Sequence, residues 1–163
     1  EQGKSRSPES AELFYYLNRT CFNGLCRFNS RGFYNVPFGR YTSIPYVRDF
    51  SRYRTTLRRW RFSSQDFERL DVKRSDFVYL DPPYDVQFTR YAKADFTWED
   101  QDRLALSASK LRGPVVASNQ ATERIVRLYK KLRFDIKLLS APRMISCSGD
   151  RSRTQEILAT RNC

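Results

Sequence analysis

Asp81-Pro82-Pro83-Tyr84 closes a short apolar run, Phe77-Val78-Tyr79-Leu80, and puts a carboxylate, two prolines and an aromatic ring within four residues. Each proline fixes φ and lacks an N–H, so the turn is stiff and the Pro82 carbonyl is left to accept a hydrogen bond. Asp81 adds a second acceptor beside it, and Tyr84 supplies a flat face. Together they predict a slot for a planar group bearing an –NH2 donor. The competing reading is a strand-to-loop turn with an ordinary buried tyrosine. The chain has no histidine, which removes imidazole acid/base chemistry and any His-containing zinc site. Cys21, Cys26, Cys147 and Cys163 lack paired metal-ligand spacing, so no metal is expected.

The elements that must position this turn are those of an α/β fold. Phe77–Leu80 reads as a strand, and two prolines force the chain out of the sheet after it. Thr97 with Asp100 makes a capping box for a helix running to about Leu111, which Gly113-Pro114 ends. Val115-Val116-Ala117 predicts a buried strand followed by Ser118-Asn119. Ala121–Leu132 then reads as a helix, with Tyr129-Lys130-Lys131 as its solvated end, and 134–139 and 154–160 as strands. Alternation of strands and helices implies a largely parallel sheet, with ligands binding at the carboxyl ends of its strands, where Asp81 falls.

The front of the chain is different. Ser7-Pro8 opens a helix whose Leu13, Phe14, Leu17 and Cys21 share a face that should be buried. From Phe22 to Tyr46, glycines and prolines punctuate a segment rich in Asn, Arg, Phe and Tyr, too irregular for a helix. A basic stretch, 48–61, suggests a second helix through Val47, Phe50, Tyr53 and Leu57. The net charge is +12, and residues 1–62 hold twelve basic and four acidic side chains against eighteen and fourteen in 63–163. A front-loaded positive field with interleaved aromatics suits a polyanion, and a solvated basic surface is the alternative. No apolar run approaches the roughly 20 residues needed to cross a bilayer, and the cysteines read as reduced in a cytoplasmic protein.

With these motifs in place, the chain resembles the Dam-type, D12 class DNA adenine N6-methyltransferases from Leu13 to Thr160. The resemblance rests on Asp81-Pro82-Pro83-Tyr84 together with Leu17-Asn18-Arg19, Phe22-Asn23-Gly24-Leu25-Cys26-Arg27, Asn35-Val36-Pro37-Phe38-Gly39-Arg40-Tyr41 and Ser146-Cys147-Ser148-Gly149-Asp150-Arg151, in the family's order. It implies the C-terminal half of a Rossmann-like methyltransferase sheet at 63–163 and a DNA-recognition region of helix and loop at 1–62. It also implies methyl transfer from S-adenosylmethionine to adenine in double-stranded DNA, with GATC as the target the loop reads. Asp81, Pro82, Pro83 and Tyr84 are then catalytic, with Asp81 also at the cofactor. By the same resemblance Arg27 reads guanine, Leu25 and Pro37 touch a thymine methyl group, Phe22 wedges into the duplex, and Asn23 sits beside the gap left by a flipped base. Arg19, Arg31 and Arg40 become candidates for phosphate or base contacts. Ser148 departs from the family's usual asparagine.

The family's Phe-x-Gly-x-Gly turn, which holds the cofactor, has no counterpart among the six glycines. The expectation is therefore a chain lacking the N-terminal cofactor-binding half, inactive alone, with that half supplied as a covalent or separate segment. Two other functions stay open: a DNA-binding remnant without chemistry, and N-methylation of RNA or protein through the same kind of slot.

Overall fold

The computed structural model describes residues 7–29, 31–44, 46–85, 96–142 and 153–163. Its described residues fall into two compact units, one up to Ser64 and one from Gln65 onward. The Ser146 to Arg151 motif expected from sequence lies outside the described residues.

In the first unit, α1 spans Pro8–Thr20, with Pro8 in its first turn and the Ser7 hydroxyl accepting from the Ser10 N–H at 3.3 Å. That is the side-chain cap the sequence called for. The expected buried face is covered only toward its end: Leu13 and Phe14 are exposed and Leu17 is half-buried, while Thr20 and Cys21 are buried. Helical spacing shows which residues share a stripe, and whether the stripe is covered depends on what packs there. The second helix, α2, is short, Ser51–Leu57, and wholly exposed.

The segment between them is stitched by its own backbone. Short antiparallel bridges join Cys21 to Phe38 and Phe28 to Tyr34. Phe22 N–H donates to the Pro37 carbonyl at 2.9 Å, and Gly39 N–H to the Thr20 carbonyl at 2.7 Å. The Tyr34 and Tyr41 hydroxyls donate to the carbonyls of Leu25 and Cys21, each at 2.8 Å. Asn23 and Gly24 both have positive φ, 52° and 67°, in a one-turn 3-10 helix at Phe22–Gly24. Asn and Gly are the residues that adopt this conformation at least cost.

In the second unit, β1 is Val78–Leu80, α3 Trp98–Ser109, β2 Val115–Gln120, α4 Glu123–Lys131, β3 Asp135–Pro142 and β4 Arg153–Arg161. They form a four-stranded sheet in the order β1-β2-β4-β3. β1 and β2 are parallel, but β4 inserts between β2 and β3 and runs antiparallel to both. The sheet is therefore mixed, and the expectation of a largely parallel one is corrected. The direction of a strand leaves no trace in its own pattern of apolar residues; the last strand is placed by which sheet edge it can reach and pair with. β2 is also longer than expected, so Ser118 and Asn119 lie inside the strand rather than after it.

One face of the sheet is covered by α3 and α4. Ala105 and Ala108 of α3, Ile125, Leu128 and Tyr129 of α4, and Val115, Ala117, Ile157 and Ala159 of the sheet form a single buried cluster with Phe134. The alanines let α3 approach closely. The Thr97 and Asp100 capping box forms as expected, and Thr122 caps α4 by accepting from Ile125 N–H at 3.3 Å. Ahead of β1, Arg103 of α3 pairs with Asp66 and Glu68 and lies 4.3 Å from the Phe67 ring centre. These groups are half-exposed, so the pairs fix geometry more than they stabilise.

Tyr129 corrects the reading of its helix end as solvated. It is 0% exposed and packs edge-on to Phe134 at 5.1 Å, because it falls on the Ile125-Leu128-Tyr129 stripe. Its hydroxyl has no hydrogen-bond partner among the described residues, and burial pushes the phenol up to about 12 from an ordinary 10.0. The unfolded phenol ionises first, so the stability held below pH 10 is lost as pH rises through about 12. Tyr129→Phe removes the unpaired group and is expected to leave stability unchanged or raise it by up to about 1 kcal/mol at pH 8. It should also flatten the decline above pH 10. Thermal melts at pH 8 and pH 11 check both, and a clear loss at pH 8 would reveal a partner for the hydroxyl.

Candidate active site

The turn after β1 leaves the sheet at Asp81, as two prolines require. Asp81 is exposed, Pro82 buried, Pro83 exposed and Tyr84 half-buried, so the tyrosine is not sealed in the core. Parallel pairing of β1 with β2 sets Leu80 opposite Ala117, which brings Ser118 alongside Asp81. The Ser118 hydroxyl donates to Asp81 Oδ1 at 2.9 Å and accepts from the Tyr79 hydroxyl at 3.2 Å. Ser118 is 6% exposed, so the contact ties one oxygen of the exposed carboxylate to a buried hydroxyl and limits its rotation.

Tyr84 points its hydroxyl at Glu156 of β4, 3.3 Å from Oε2. Burial raises its pKa, the Ser118 hydroxyl opposes that, and the negative charges of Glu156 and Asp81 raise it further, so the ring is a neutral phenol. The next residue, Asp85, has a side chain only 7% exposed. It accepts from Thr122 Oγ1 at 2.7 Å and pairs with the Arg124 guanidinium, whose Nε lies at 2.7 Å. Arg124 in turn lies over the Trp98 ring, 4.6 Å from its centre. The Arg124 hydrogen bond outweighs burial and holds the Asp85 carboxyl below the usual carboxylate range.

Two buried amides complete the surroundings. Gln101 of α3 donates from Nε2 to the Pro83 carbonyl at 2.7 Å, and Asn119 of β2 donates from Nδ2 to Gln101 Oε1 at 3.0 Å. Asn119 Oδ1 accepts from the Asp85 N–H at 3.0 Å. None of Ser118, Asn119, Gln101, Asp85 or Glu156 was singled out from sequence as a site residue. A signal existed for the first two, since a polar pair directly after Val115-Val116-Ala117 continues a strand toward its carboxyl end. For Gln101 and Glu156 the sequence carries none.

The remaining sequence-designated residues lie in the other unit. Phe22, Arg27, Pro37 and Arg40 are exposed, as is Arg19, and Asn23 is half-buried. Arg27 is held from one side: Nε donates to Asn35 Oδ1 at 2.9 Å and Nη2 to the Asn35 carbonyl at 3.1 Å. That takes up the edge of the guanidinium shared by Nε and Nη2 and leaves the Nη1/Nη2 end outward. Leu25 differs from the rest. It is only 7% exposed, so little of it remains to meet a ligand, and its carbonyl is a fastening point for Cys21 Sγ and the Tyr34 hydroxyl, each at 2.8 Å.

The second unit is thus a mixed α/β arrangement that carries a carboxylate and a tyrosine on a proline-stiffened turn beyond a strand's carboxyl end. Residues 2–145 match the family described as D12 class N6 adenine-specific DNA methyltransferase, and the chain belongs to that family. Among relatives, it is 38% identical to a type II methyltransferase, M.MjaIII, of Methanocaldococcus jannaschii, over 86% of this chain and 52% of the relative. It is 36% identical to the DNA adenine methylase of Escherichia coli K12, over 98% of this chain and 61% of the relative. The retron Ec67 DNA adenine methylase of Escherichia coli is 36% identical over 91% and 54%. The chain thus spans between half and two thirds of the length of these relatives.

Proposed function

We propose that the protein methylates the exocyclic amine of adenine in double-stranded DNA with S-adenosylmethionine, at GATC sites, and that this chain carries its catalytic turn and its base-reading segment. The observation that supports this most is Asp81, rotated by Ser118 at the carboxyl end of β1, in a chain of the D12 family. In the same reading, residues 63–163 are the C-terminal half of a Rossmann-like methyltransferase sheet and 1–62 the target-recognition region.

The amine of adenine is a weak nucleophile because its lone pair is delocalised into the ring. Hydrogen bonds from it to Asp81 and to the Pro82 carbonyl draw the lone pair back onto nitrogen. With Oδ1 occupied by Ser118, Oδ2 is the oxygen that serves the amine. Tyr84 offers its ring face to the base, and since a duplex hides the reacting atom in its stack, the base is flipped out to reach it. The catalysis is positioning and electrostatics, with no covalent enzyme intermediate. An exposed carboxylate also suits a cationic cofactor, so Asp81 would hold S-adenosylmethionine, which supplies the electrophilic methyl group when bound.

In the recognition segment, Arg27 presents the free end of its guanidinium to guanine O6 and N7, with Asn35 as its brace. Phe22, Asn23, Pro37, Arg19 and Arg40 provide the remaining contacts, while Leu25 serves mainly to hold the loop. Arg27→Ala is expected to relax choice at one base pair, losing about 1–3 kcal/mol of discrimination. Binding to GATC duplexes and to single-base variants measures it, and unchanged discrimination would remove Arg27 from the readout.

The reading is tested by methyl transfer from labelled S-adenosylmethionine to a GATC duplex, comparing this chain with a version extended to the length of its relatives. Transfer by the extended protein supports it. Silence in both, with DNA binding that weakens steeply with salt, favours a DNA-binding protein without chemistry.

A further inference from the structure

Peptide planes on both sides of Tyr84 are held by groups that the methyl-transfer chemistry does not use. The Pro83 carbonyl belongs to the peptide before Tyr84, and it accepts from Gln101 Nε2 at 2.7 Å. The Asp85 N–H belongs to the peptide after it, and it donates to Asn119 Oδ1 at 3.0 Å. The two amides are joined by the 3.0 Å hydrogen bond from Asn119 Nδ2 to Gln101 Oε1. Gln101 is 3% exposed and Asn119 0%, so the bond that joins them is buried and the two that reach the turn are partly shielded from water.

The polarity of the chain is fixed from both ends. A carbonyl at Pro83 demands the NH2 end of Gln101, which turns its oxygen toward Asn119. Asn119 must then present its own NH2, which leaves Oδ1 for the Asp85 N–H and for the Gln120 N–H at 2.8 Å. Each polar atom of the two amides has a partner, and reversing Gln101 breaks two contacts while reversing Asn119 breaks three. Fixing both adjoining peptide planes fixes φ and ψ of Tyr84, and with them the direction of its Cα–Cβ bond. Asp85, anchored by Thr122 and Arg124, prevents the far end from swinging.

We infer that Gln101 and Asn119 are positioning residues that aim the Tyr84 ring at the substrate base by clamping the two peptide groups around it. The inference rests on the methyltransferase reading for what Tyr84 does, and on geometry alone for the clamp. Both amides are buried, so they act on the turn rather than on substrate. The clamp couples the first turn of α3 and the carboxyl end of β2 to the catalytic turn.

The test uses Gln101→Met and Gln101→Glu in the protein extended to the length of its relatives, assayed well below their melting temperatures. Gln101→Met keeps the length of the side chain and removes both its polar groups. Its single-turnover methylation rate is expected to fall about 10- to 100-fold, the scale of a modest misplacement of reacting groups. Affinity for the GATC duplex should stay within about threefold, because the recognition loop is untouched. Gln101→Glu can donate to the Pro83 carbonyl only when protonated, so its rate should rise toward wild type as pH falls, a profile neither wild type nor Gln101→Met shows. A single-turnover rate within twofold of wild type in Gln101→Met, or a Gln101→Glu rate with the wild-type pH profile, overturns the clamp. If Gln101→Met does not fold, the Gln101→Glu profile decides. If wild type itself does not methylate, the methyltransferase reading fails, and the clamp is judged by hydrogen exchange at the Asp85 amide. Protection lost by about tenfold or more in the variants supports it, and equal protection refutes it.

Discussion

Asp81→Ala, in the protein extended to the length of its relatives, is expected to reduce methyl transfer by at least 10²–10³-fold, the order seen when one preorganised group is removed from a developing charge. DNA affinity should change little, since the residues proposed to read the bases belong to the other unit. The contact with Ser118 makes a sharper version possible. Because the Ser118 hydroxyl is a donor toward Oδ1 at 2.9 Å, Asp81→Asn will place its carbonyl oxygen there and turn its NH2 toward the substrate amine. A donor would then face a donor, so the near-isosteric change is expected to be as damaging as alanine. Steady-state and single-turnover rates, with duplex binding measured in parallel, check this. Equal loss of binding and chemistry would count against the role, and full activity of Asp81→Asn would show that the amine is held elsewhere.

Ile157→Ala should give the largest loss of stability. Ile157 is 1% exposed, lies in β4 opposite Asn119 on one side and Leu138 on the other, and belongs to the cluster under α3 and α4. Truncating a fully buried isoleucine costs about 2–5 kcal/mol, the lost transfer energy plus the cavity left behind. For a unit of this size each kcal/mol lowers Tm by roughly 4–8 °C, so the melt should move by ten degrees or more. Thermal unfolding followed by circular dichroism measures it. A shift of only a few degrees would mean that the site collapses around the smaller side chain. The consequence for function is indirect: β4 also carries Glu156, the partner of Tyr84, so loosening this strand loosens one support of the turn.

Much of this was legible in the sequence. Asp81-Pro82-Pro83-Tyr84 announced a rigid acceptor turn because proline geometry is local, and the capping box at Thr97 and Asp100 formed because its partners are three residues apart. The helices α1, α3 and α4 and the four strands among the described residues fall within a few residues of their expected positions for the same reason. The covering of α1 was misjudged, since Leu13 and Phe14 share a stripe that stays exposed, and Tyr129 was misjudged in the other direction.

What the sequence determined by itself was therefore the local chemistry: which residues could accept a hydrogen bond, where the chain had to turn, and which family its ordered motifs match. Tertiary structure alone decided that β4 inserts antiparallel between β2 and β3, that Ser118 sets the rotation of Asp81, and that Gln101 and Asn119, eighteen residues apart, meet around Tyr84. The reason is physical. Backbone propensity and capping act over a turn or two of chain, whereas register and burial bring together groups that nothing in their sequence neighbourhoods relates.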